Sequence, residues 1–190
     1  MINKVIEMNT VDALTPIQIN MVHDLLIRRH KPIYADIFKC GLQMSLRISD
    51  LLSIKFSSID LDDRALTLVE SKTGKIKHIR LNHTAMDIVR RRRADNPDHV
   101  YLFQVESNRS KGKPISRVTV SQVFQDVAAT LGLAFNTHSL RKSRGMAMYN
   151  DGVSIEKIAL VLNHSNTSAT LRYLGITKES TLQTFDDYEL

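Results

Sequence analysis

The stretch NTHSLRKSRGMAMYNDG places a histidine, two arginines and a lysine within seven residues and then becomes apolar. The pattern predicts a helix on which His138 and Arg141, three residues apart, share one face. Leu140, Ala147 and Met148 would line a neighbouring buried stripe, so the charged pair would lie near the core. Because burying a charge is costly unless something meets it, the stretch predicts a site for an anion.

Each candidate side chain also has an ordinary structural interpretation. A histidine and an arginine one turn apart are most often surface polar residues, and Arg47, just ahead of a core-like helix, could pair with Asp50. Lys72, beside Gly74 in the turn SKTGK, is typical of a solvated hairpin tip. A phosphate loop is a poor alternative there, because the chain has no G-x-x-x-x-G-K-[ST] pattern. Tyr173 could be a half-buried aromatic whose hydroxyl bonds a neighbour.

Helices that would position these residues are readable in the first third of the chain. LTPIQINMVHDLLIRRH opens with Thr15 as N-cap, Pro16 at the first helical position and Gln18 completing a capping box. IYADIFKCGLQMS predicts a second, well-buried helix. In RISDLLSIKFSSID the apolar spacing predicts a third helix that begins near Ser49 and includes Phe56.

The period then changes to that of a hairpin, because ALTLVE and KHIRL alternate around SKTGK. NHTAMDIVRRRRADNP predicts a helix whose arginines, Arg90–Arg93, are typical of a solvated end. VYLF indicates a short strand or core segment, and ESNRSKGKP a polar surface loop. Four helices follow from Ser116 to Leu174, the third ending at Asn163 as a left-handed cap. The predicted fold class is therefore mainly α with a small antiparallel β-sheet (α+β).

Composition sets the broad class of protein. The 190 residues suffice for one domain with a sound core, and no apolar run approaches the length of a membrane span. Cys40 is the only cysteine, which excludes an intramolecular disulfide and a cysteine metal cluster. The start of the chain lacks a signal-peptide core, so a cytoplasmic location is expected. The net charge of +6 favours a polyanionic partner such as nucleic acid.

Four segments, in order, carry a family resemblance. LRISDLL, SKTGK within a hairpin, HSLRKSRG and LNHSNTSATLRY together resemble the catalytic domain of the tyrosine recombinases, the phage integrase family. The match spans Arg47 to Tyr173, about two thirds of the chain. Its spacing agrees as well, with 26 residues from His138 to His164 and nine from His164 to Tyr173.

The resemblance implies six catalytic residues, each carried over by its place in a motif: Arg47, Lys72, His138, Arg141, His164 and Tyr173. The tyrosine would be the nucleophile and the two arginines would clamp the scissile phosphate. The lysine would be the general acid, and the histidines would handle protons and hydrogen bonds. No metal or other cofactor is implied, because guanidinium groups can stabilise the developing charge.

The sequence departs from the family pattern at two glycine positions. Ser45 precedes the Leu-Arg of the first motif, and Asn163 replaces the glycine of Leu-Gly-His. Both changes affect backbone geometry rather than a chemical group, and asparagine tolerates positive φ better than most residues.

The layout resembles the short single-domain members of the family, such as the invertases that switch fimbrial phase. About 46 residues precede Arg47, and the first helices fit the start of the catalytic domain. We therefore expect one catalytic domain over residues 1–190, with a loose arm at 1–12 and no separate N-terminal core-binding domain. The tail, 175–190, would dock on a neighbouring protomer through Leu182 and Phe185.

The function that the resemblance implies is site-specific DNA recombination through a covalent 3′-phosphotyrosine intermediate, in integration, excision or inversion. The expected partners are double-stranded DNA at specific recombination sites and, in a homotetramer assembled on that DNA, three further copies of the chain. Accessory DNA-bending proteins are compatible with such a reaction. Arg117, Lys142 and Arg144 are predicted to contact the DNA backbone. One alternative is a non-catalytic DNA-binding regulator, although such a protein needs no positioned tyrosine. Another is a topoisomerase-like nicking enzyme that does not synapse two sites.

Overall fold

The computed structural model describes residues 12–106, 111–176, 182 and 185–187. Its helices are α1 (Pro16–Arg29), α2 (Pro32–Met44), α3 (Ile48–Leu52), α4 (His83–Asp95), α5 (Arg117–Leu131), α6 (Ser139–Asn150), α7 (Ile155–Leu162) and α8 (Thr167–Leu174). Its strands are β1 (Ile59–Asp60), β2 (Ala65–Val69), β3 (Ile76–Arg80), β4 (Gln104–Val105) and β5 (Lys113–Pro114). The predicted fold class is confirmed. The predicted arm and tail fall largely outside the described residues.

The first helix begins as its sequence predicts. The Gln18 backbone N–H donates to Thr15 Oγ1 at 3.3 Å, and the Thr15 N–H donates to Gln18 Oε1 at 2.8 Å. These two bonds form the predicted capping box, with Pro16 at the first helical position. The chain thus enters the domain through a fixed turn.

Helix α2 lies at the centre of the main core and is buried along most of its length. Its Phe38 meets Phe124 of α5 and Phe135 edge-on, with ring centroids 6.0 and 6.3 Å apart. Such edge contacts between buried rings stabilise a core beyond the area they bury. Helix α2 therefore carries its C-terminal residues, just ahead of the first motif, on a rigid base.

The predicted hairpin is confirmed. Strands β2 and β3 pair antiparallel, with Leu66 opposite Ile79 and Leu68 opposite Lys77. Gly74 closes the turn at φ +66°, a backbone conformation that glycine adopts without steric cost. Strand β1 adds to the β2 edge, and β4 with β5 forms a second small antiparallel sheet.

The prediction that the third helix includes Phe56 is wrong. Helix α3 ends at Leu52, and Phe56 begins a separate 3₁₀ turn, Phe56–Ser58. The chain between them leaves the helix because it pairs with a distant segment: the Ile54 carbonyl accepts a hydrogen bond from the Leu102 N–H at 2.9 Å. In VYLF, Leu102 and Phe103 are fully buried and belong to the core, whereas Val100 is exposed.

The prediction of a solvated arginine run is wrong for Arg92, which is buried. Its Nη1 lies 3.2 Å from Asp36 Oδ2, and its Nε donates to the Leu102 carbonyl at 2.6 Å. Arg91 also pairs with Asp36. A buried carboxylate on α2 needs opposite charge, and these arginines of α4 supply it.

Helices α6, α7 and α8 enclose a smaller apolar cluster built on Ile158, Leu162 and Leu174. A side-chain Cβ at Gly145 would lie 3.0 Å from Leu174 and 3.2 Å from Leu162, so glycine lets the three helices approach closely. Among the residues that the structure describes, none of these or the other helices is long and apolar enough to cross a membrane.

Candidate active site

Arg141 lies at the centre of the candidate site, on the first turn of α6, and is 3% exposed. Its Nη1 donates to the Ser45 carbonyl at 2.6 Å, and its Nη2 donates to the Leu162 carbonyl at 2.7 Å. Both acceptors belong to the C-terminal ends of helices, where carbonyls lack intrahelical partners and the helix dipole is negative. The C-terminal ends of α2 and α7 therefore fix the position of the Arg141 guanidinium.

The two departures from the family's glycine pattern are the residues that end these helices. Ser45 ends α2 at φ +51°, and Asn163 ends α7 at φ +52°. The prediction that Asn163 forms a left-handed cap is confirmed. Because positive φ favours glycine, the structure explains why the family has glycine at both positions.

Arg47 pairs with Glu70, and the predicted alternative, a pair with Asp50, is wrong. Arg47 Nη1 lies 3.2 Å from Glu70 Oε2, without the alignment of a hydrogen bond. The carboxylate of Asp50 instead accepts bonds from the backbone N–H and Oγ of Ser71, at 2.9 and 2.6 Å. Asp50 thus fixes the base of the hairpin turn that carries Lys72.

The surroundings of the two candidate histidines favour the neutral form of each imidazole. Burial, followed by the positive charges of Arg141 and Arg47, lowers the pKa of both His138 and His164 below 6.5. His164 Nδ1 lies 3.0 Å from Thr170 Oγ1, which fixes the orientation of its ring. A neutral imidazole has one nitrogen free to accept a proton, so this environment suits a base.

Tyr173 of α8 is half-buried, and its hydroxyl donates to the His138 carbonyl at 3.2 Å. Its ring meets that of His164 edge-on, with centroids 5.0 Å apart. Burial raises the pKa of Tyr173, while the charges of Arg141 and Arg47 act in the opposite direction. The phenol is therefore protonated in the free protein and lies beside cations that would stabilise a phenolate.

Lys72 is exposed in the hairpin turn, and it lines a groove of about 720 Å³. Arg47, His138 and Arg117 line the same groove. The structure therefore brings the two arginines, two histidines and tyrosine predicted as catalytic around one point, with the lysine at the rim.

The three predicted DNA contacts do not share one surface. Arg117, at the start of α5, faces the groove beside Lys72. Lys142 is 9% exposed and lines a different groove, next to Gly175. Arg144 is half-buried and lines a third groove. The placement favours Arg117 alone as a DNA contact near the catalytic residues.

Two further charged residues belong to the site and are not among the six predicted catalytic residues. Glu70 is fully buried, and Lys77 donates from Nζ to the Val161 carbonyl at 2.8 Å. Burial, followed by the charge of Arg141, lowers the pKa of Lys77 to about 8. The strand alternation is the signal that could have found both. Glu70 continues the inward face of Leu66 and Leu68, and Lys77 faces inward on β3.

Comparison with known proteins establishes the family of the chain. The profile of the phage integrase family matches residues 14–180, so the chain belongs to the phage integrase family. It is 33% identical over 165 residues to a probable integrase/recombinase of Bacillus subtilis, YoeC, covering 86% of this chain and 88% of that protein. It is 31% identical to the tyrosine recombinase XerA of Pyrococcus furiosus, covering 70% of this chain and 46% of that protein.

A solved structure shows the same fold. The Tn1549 transposon integrase, solved with a circular intermediate DNA, superposes with a TM-score of 0.72 at 18% identity, over 96% of this chain and 67% of that one. Within the described residues, no three histidine, cysteine or carboxylate side chains gather as they would around a metal ion.

Proposed function

We propose that the protein is a site-specific DNA recombinase that cleaves and rejoins DNA through a covalent 3′-phosphotyrosine intermediate, with Tyr173 as the nucleophile. One observation carries the proposal: the Tyr173 hydroxyl donates to the His138 carbonyl at 3.2 Å, at the start of α6, the helix on whose first turn Arg141 is buried. A tyrosine hydroxyl near guanidinium groups suits attack on a phosphodiester, because arginines match the phosphate oxygens in geometry.

The proposed step is an in-line displacement at phosphorus. The Tyr173 oxygen forms a bond to phosphorus as the bond to the 5′-oxygen breaks. His138 accepts the phenolic proton, and Lys72 supplies a proton to the leaving oxygen. Arg47 and Arg141 stabilise the charge that develops on the non-bridging oxygens. The phosphotyrosine conserves the bond energy, so a 5′-hydroxyl from a second DNA end can reverse the step without ATP.

The expected partner is double-stranded DNA that enters along the groove beside α5. Arg117 lies on that groove with Lys72, and the chain carries a net charge of +6. Relatives in fold, such as the Tn1549 integrase, have been solved with DNA. Exchange between two sites would need a homotetramer, for which the tail, 175–190, is the proposed docking element. The proposed compartment is the cytoplasm.

A suicide DNA substrate, nicked so that the cleaved end diffuses away, tests the proposal. Wild type should form an adduct that survives SDS, and excess EDTA should not reduce its yield because arginines supply the electrostatic stabilisation. Tyr173→Phe should bind the same DNA with unchanged affinity and form no adduct. Tyr149→Phe is the matched control, because Tyr149 is exposed on the far end of α6 and should not affect the yield.

Two results would overturn the proposal. Binding without any adduct from wild type would leave a DNA-binding regulator. Adduct formation without strand exchange between two sites would instead make the protein a nicking enzyme of the topoisomerase type.

A further inference from the structure

A single buried carboxylate connects the segments that carry the candidate catalytic residues. Glu70 follows β2, and its side chain has no exposed surface. Its Oε2 lies 3.2 Å from Arg47 Nη1 and accepts a bond from Thr73 Oγ1 at 2.9 Å. The same oxygen accepts a hydrogen bond from Asn163 Nδ2.

These three partners belong to three different motifs. Arg47 is the first arginine of the proposed phosphate clamp. Thr73 is next to Lys72 in the hairpin turn, and Asn163 is next to His164 at the end of α7. Lys77, which faces inward from β3, adds a positive charge near the same carboxylate. One side chain therefore bears on the arginine, the lysine turn and the histidine turn together.

The fold alone does not account for a carboxylate here. Leu66 and Leu68 precede it on the same inward face, where an apolar residue would pack without desolvation cost. Among the described residues, Glu70 Oε1 has no hydrogen-bond partner, although it is buried. An unsatisfied buried polar atom typically costs about 1–3 kcal/mol.

The surrounding charges keep Glu70 ionised despite that cost. Burial raises the pKa of Glu70. The hydrogen bonds from Thr73 and Asn163, with the charges of Arg47 and Lys77, outweigh burial and hold the pKa below its ordinary value. Glu70 thus places an ionised carboxylate within this cluster of cations.

We propose, on the basis of the recombinase function above, that Glu70 is a positioning residue that holds Arg47, the Lys72 turn and the His164 turn in their catalytic arrangement before DNA binds. It touches no reacting atom. Its contribution is preorganisation, since misplacing a catalytic group by about 1 Å can cost on the order of 100-fold in rate.

The test uses single-turnover cleavage of two DNA substrates, one normal and one with sulfur at the bridging 5′ position. Glu70→Gln keeps the size of the side chain but loses the pairing with Arg47. We expect it to cleave both substrates roughly 10- to 100-fold more slowly than the wild-type protein does. Thr73→Val removes the bond to Glu70, and with it a bond that Thr73 Oγ1 accepts from the Lys75 N–H within the same turn at 3.4 Å. We expect its defect to disappear on the sulfur substrate, which needs little proton donation from Lys72.

Asp36→Asn is the matched control. Asp36 is also a buried carboxylate paired with arginines, but it lies on α2 against α4, away from the site. This variant should lose stability and, well below its melting temperature, cleave at the wild-type rate. Equal slowing of Asp36→Asn and Glu70→Gln would overturn the proposal, because it would indicate general destabilisation.

Hydrogen–deuterium exchange provides a readout that does not depend on cleavage. Glu70→Gln should accelerate exchange in the hairpin turn, 71–75, and in the α7–α8 turn, 163–166, whereas Asp36→Asn should not. Unchanged exchange in both turns would overturn the positioning role even if wild type cleaved no DNA. Wild-type or faster cleavage by Glu70→Gln would overturn it as well, and faster cleavage would mean that Glu70 obstructs the phosphate site.

Discussion

Arg47 and Arg141 carry the same charge, but the protein holds them differently. Arg141 donates to two backbone carbonyls, which are neutral and fixed at helix ends. Arg47 has a charged partner, Glu70, and its Nη1 makes no aligned hydrogen bond within the described residues. We therefore interpret Arg141 as the rigid half of the phosphate clamp, and Arg47 as the half with a donor left for the ligand.

Lys72 is separable from the arginines at the level of the transition state. If Lys72 protonates the leaving 5′-oxygen, Lys72→Ala should cleave normal DNA very slowly. A 5′-bridging sulfur leaves as a much less basic thiolate, so the variant should cleave that substrate at close to the wild-type rate. Arg47→Ala and Arg141→Ala should remain defective on both, because the charge on the non-bridging oxygens is still unmet.

Single-turnover cleavage by the three variants measures this difference. If Lys72→Ala is no faster on the sulfur substrate, the acid lies elsewhere. Lys77 would then be the first replacement to test, since it lies inward on β3 and its pKa is lowered to about 8.

The histidines should titrate below their ordinary range in the free protein. Burial and the charge of Arg141 lower the pKa of His138 and His164 below 6.5, so the folded state binds fewer protons than the unfolded state as pH falls through this window. The free energy of unfolding therefore has its full value from these two groups above pH 6.5 and decreases as the pH falls below it. NMR titration of the two imidazole rings should give midpoints below 6.5. Midpoints at or above that value would mean that burial and the nearby arginines do not lower the pKa of these rings.

At the scale of elements, the ends of helices α2 and α7 build the site by turning left-handed and presenting carbonyls to Arg141. The left-handed conformation costs a residue other than glycine roughly 1–2 kcal/mol. Ser45 also buries a hydroxyl that has no hydrogen-bond partner among the described residues. We therefore expect Ser45→Gly to raise the free energy of unfolding by about 1 kcal/mol, after the entropy that glycine adds to the unfolded chain.

Asn163→Gly is the matched comparison for denaturant unfolding. It relieves the same backbone conformation but removes the hydrogen bond to Glu70. Its gain should be smaller than that of Ser45→Gly, or reversed. A larger gain for Asn163→Gly would mean that its bond to Glu70 contributes nothing.

Elements whose residues follow a local rule could be predicted from the sequence. The capping box at Thr15 and the alternation on both sides of SKTGK depend on neighbouring residues only, so they were recognisable. The end of α3 was not, because it depends on Ile54 pairing with Leu102, about fifty residues away. The burial of Arg92 likewise depends on Asp36 from another helix.

The same distinction applies to the site. Motif order identified the candidate catalytic residues, whereas the partner of Arg47 could not be chosen from proximity in sequence. Asp50 is three residues away and Glu70 is twenty-three, yet the hairpin brings Glu70 to the arginine. The separation of Lys142 from Arg117 also needed the fold, because only packing decides which groove each residue faces.

At the scale of the whole molecule, the groove beside α5 should determine how DNA binding responds to salt. Each phosphate contact contributes about −0.9 to the slope of log affinity against log salt concentration. Arg117→Ala should therefore reduce the magnitude of the slope by about 0.9, the contribution of one phosphate contact. Lys142→Met, which keeps much of the buried packing, should leave it unchanged because Lys142 faces another groove. Equal changes in both slopes would contradict this DNA path.

The identity of the residue that becomes linked to DNA tests the central claim most directly. After trapping on the suicide substrate and nuclease treatment, trypsin should release the adduct on the peptide YLGITK, which begins at Tyr173. Tyr149 lies on a separate tryptic peptide, GMAMYNDGVSIEK, so mass spectrometry distinguishes the two. We predict a nucleotide attached to Tyr173 alone. A nucleotide on Tyr149 or on any other residue would contradict the proposed mechanism.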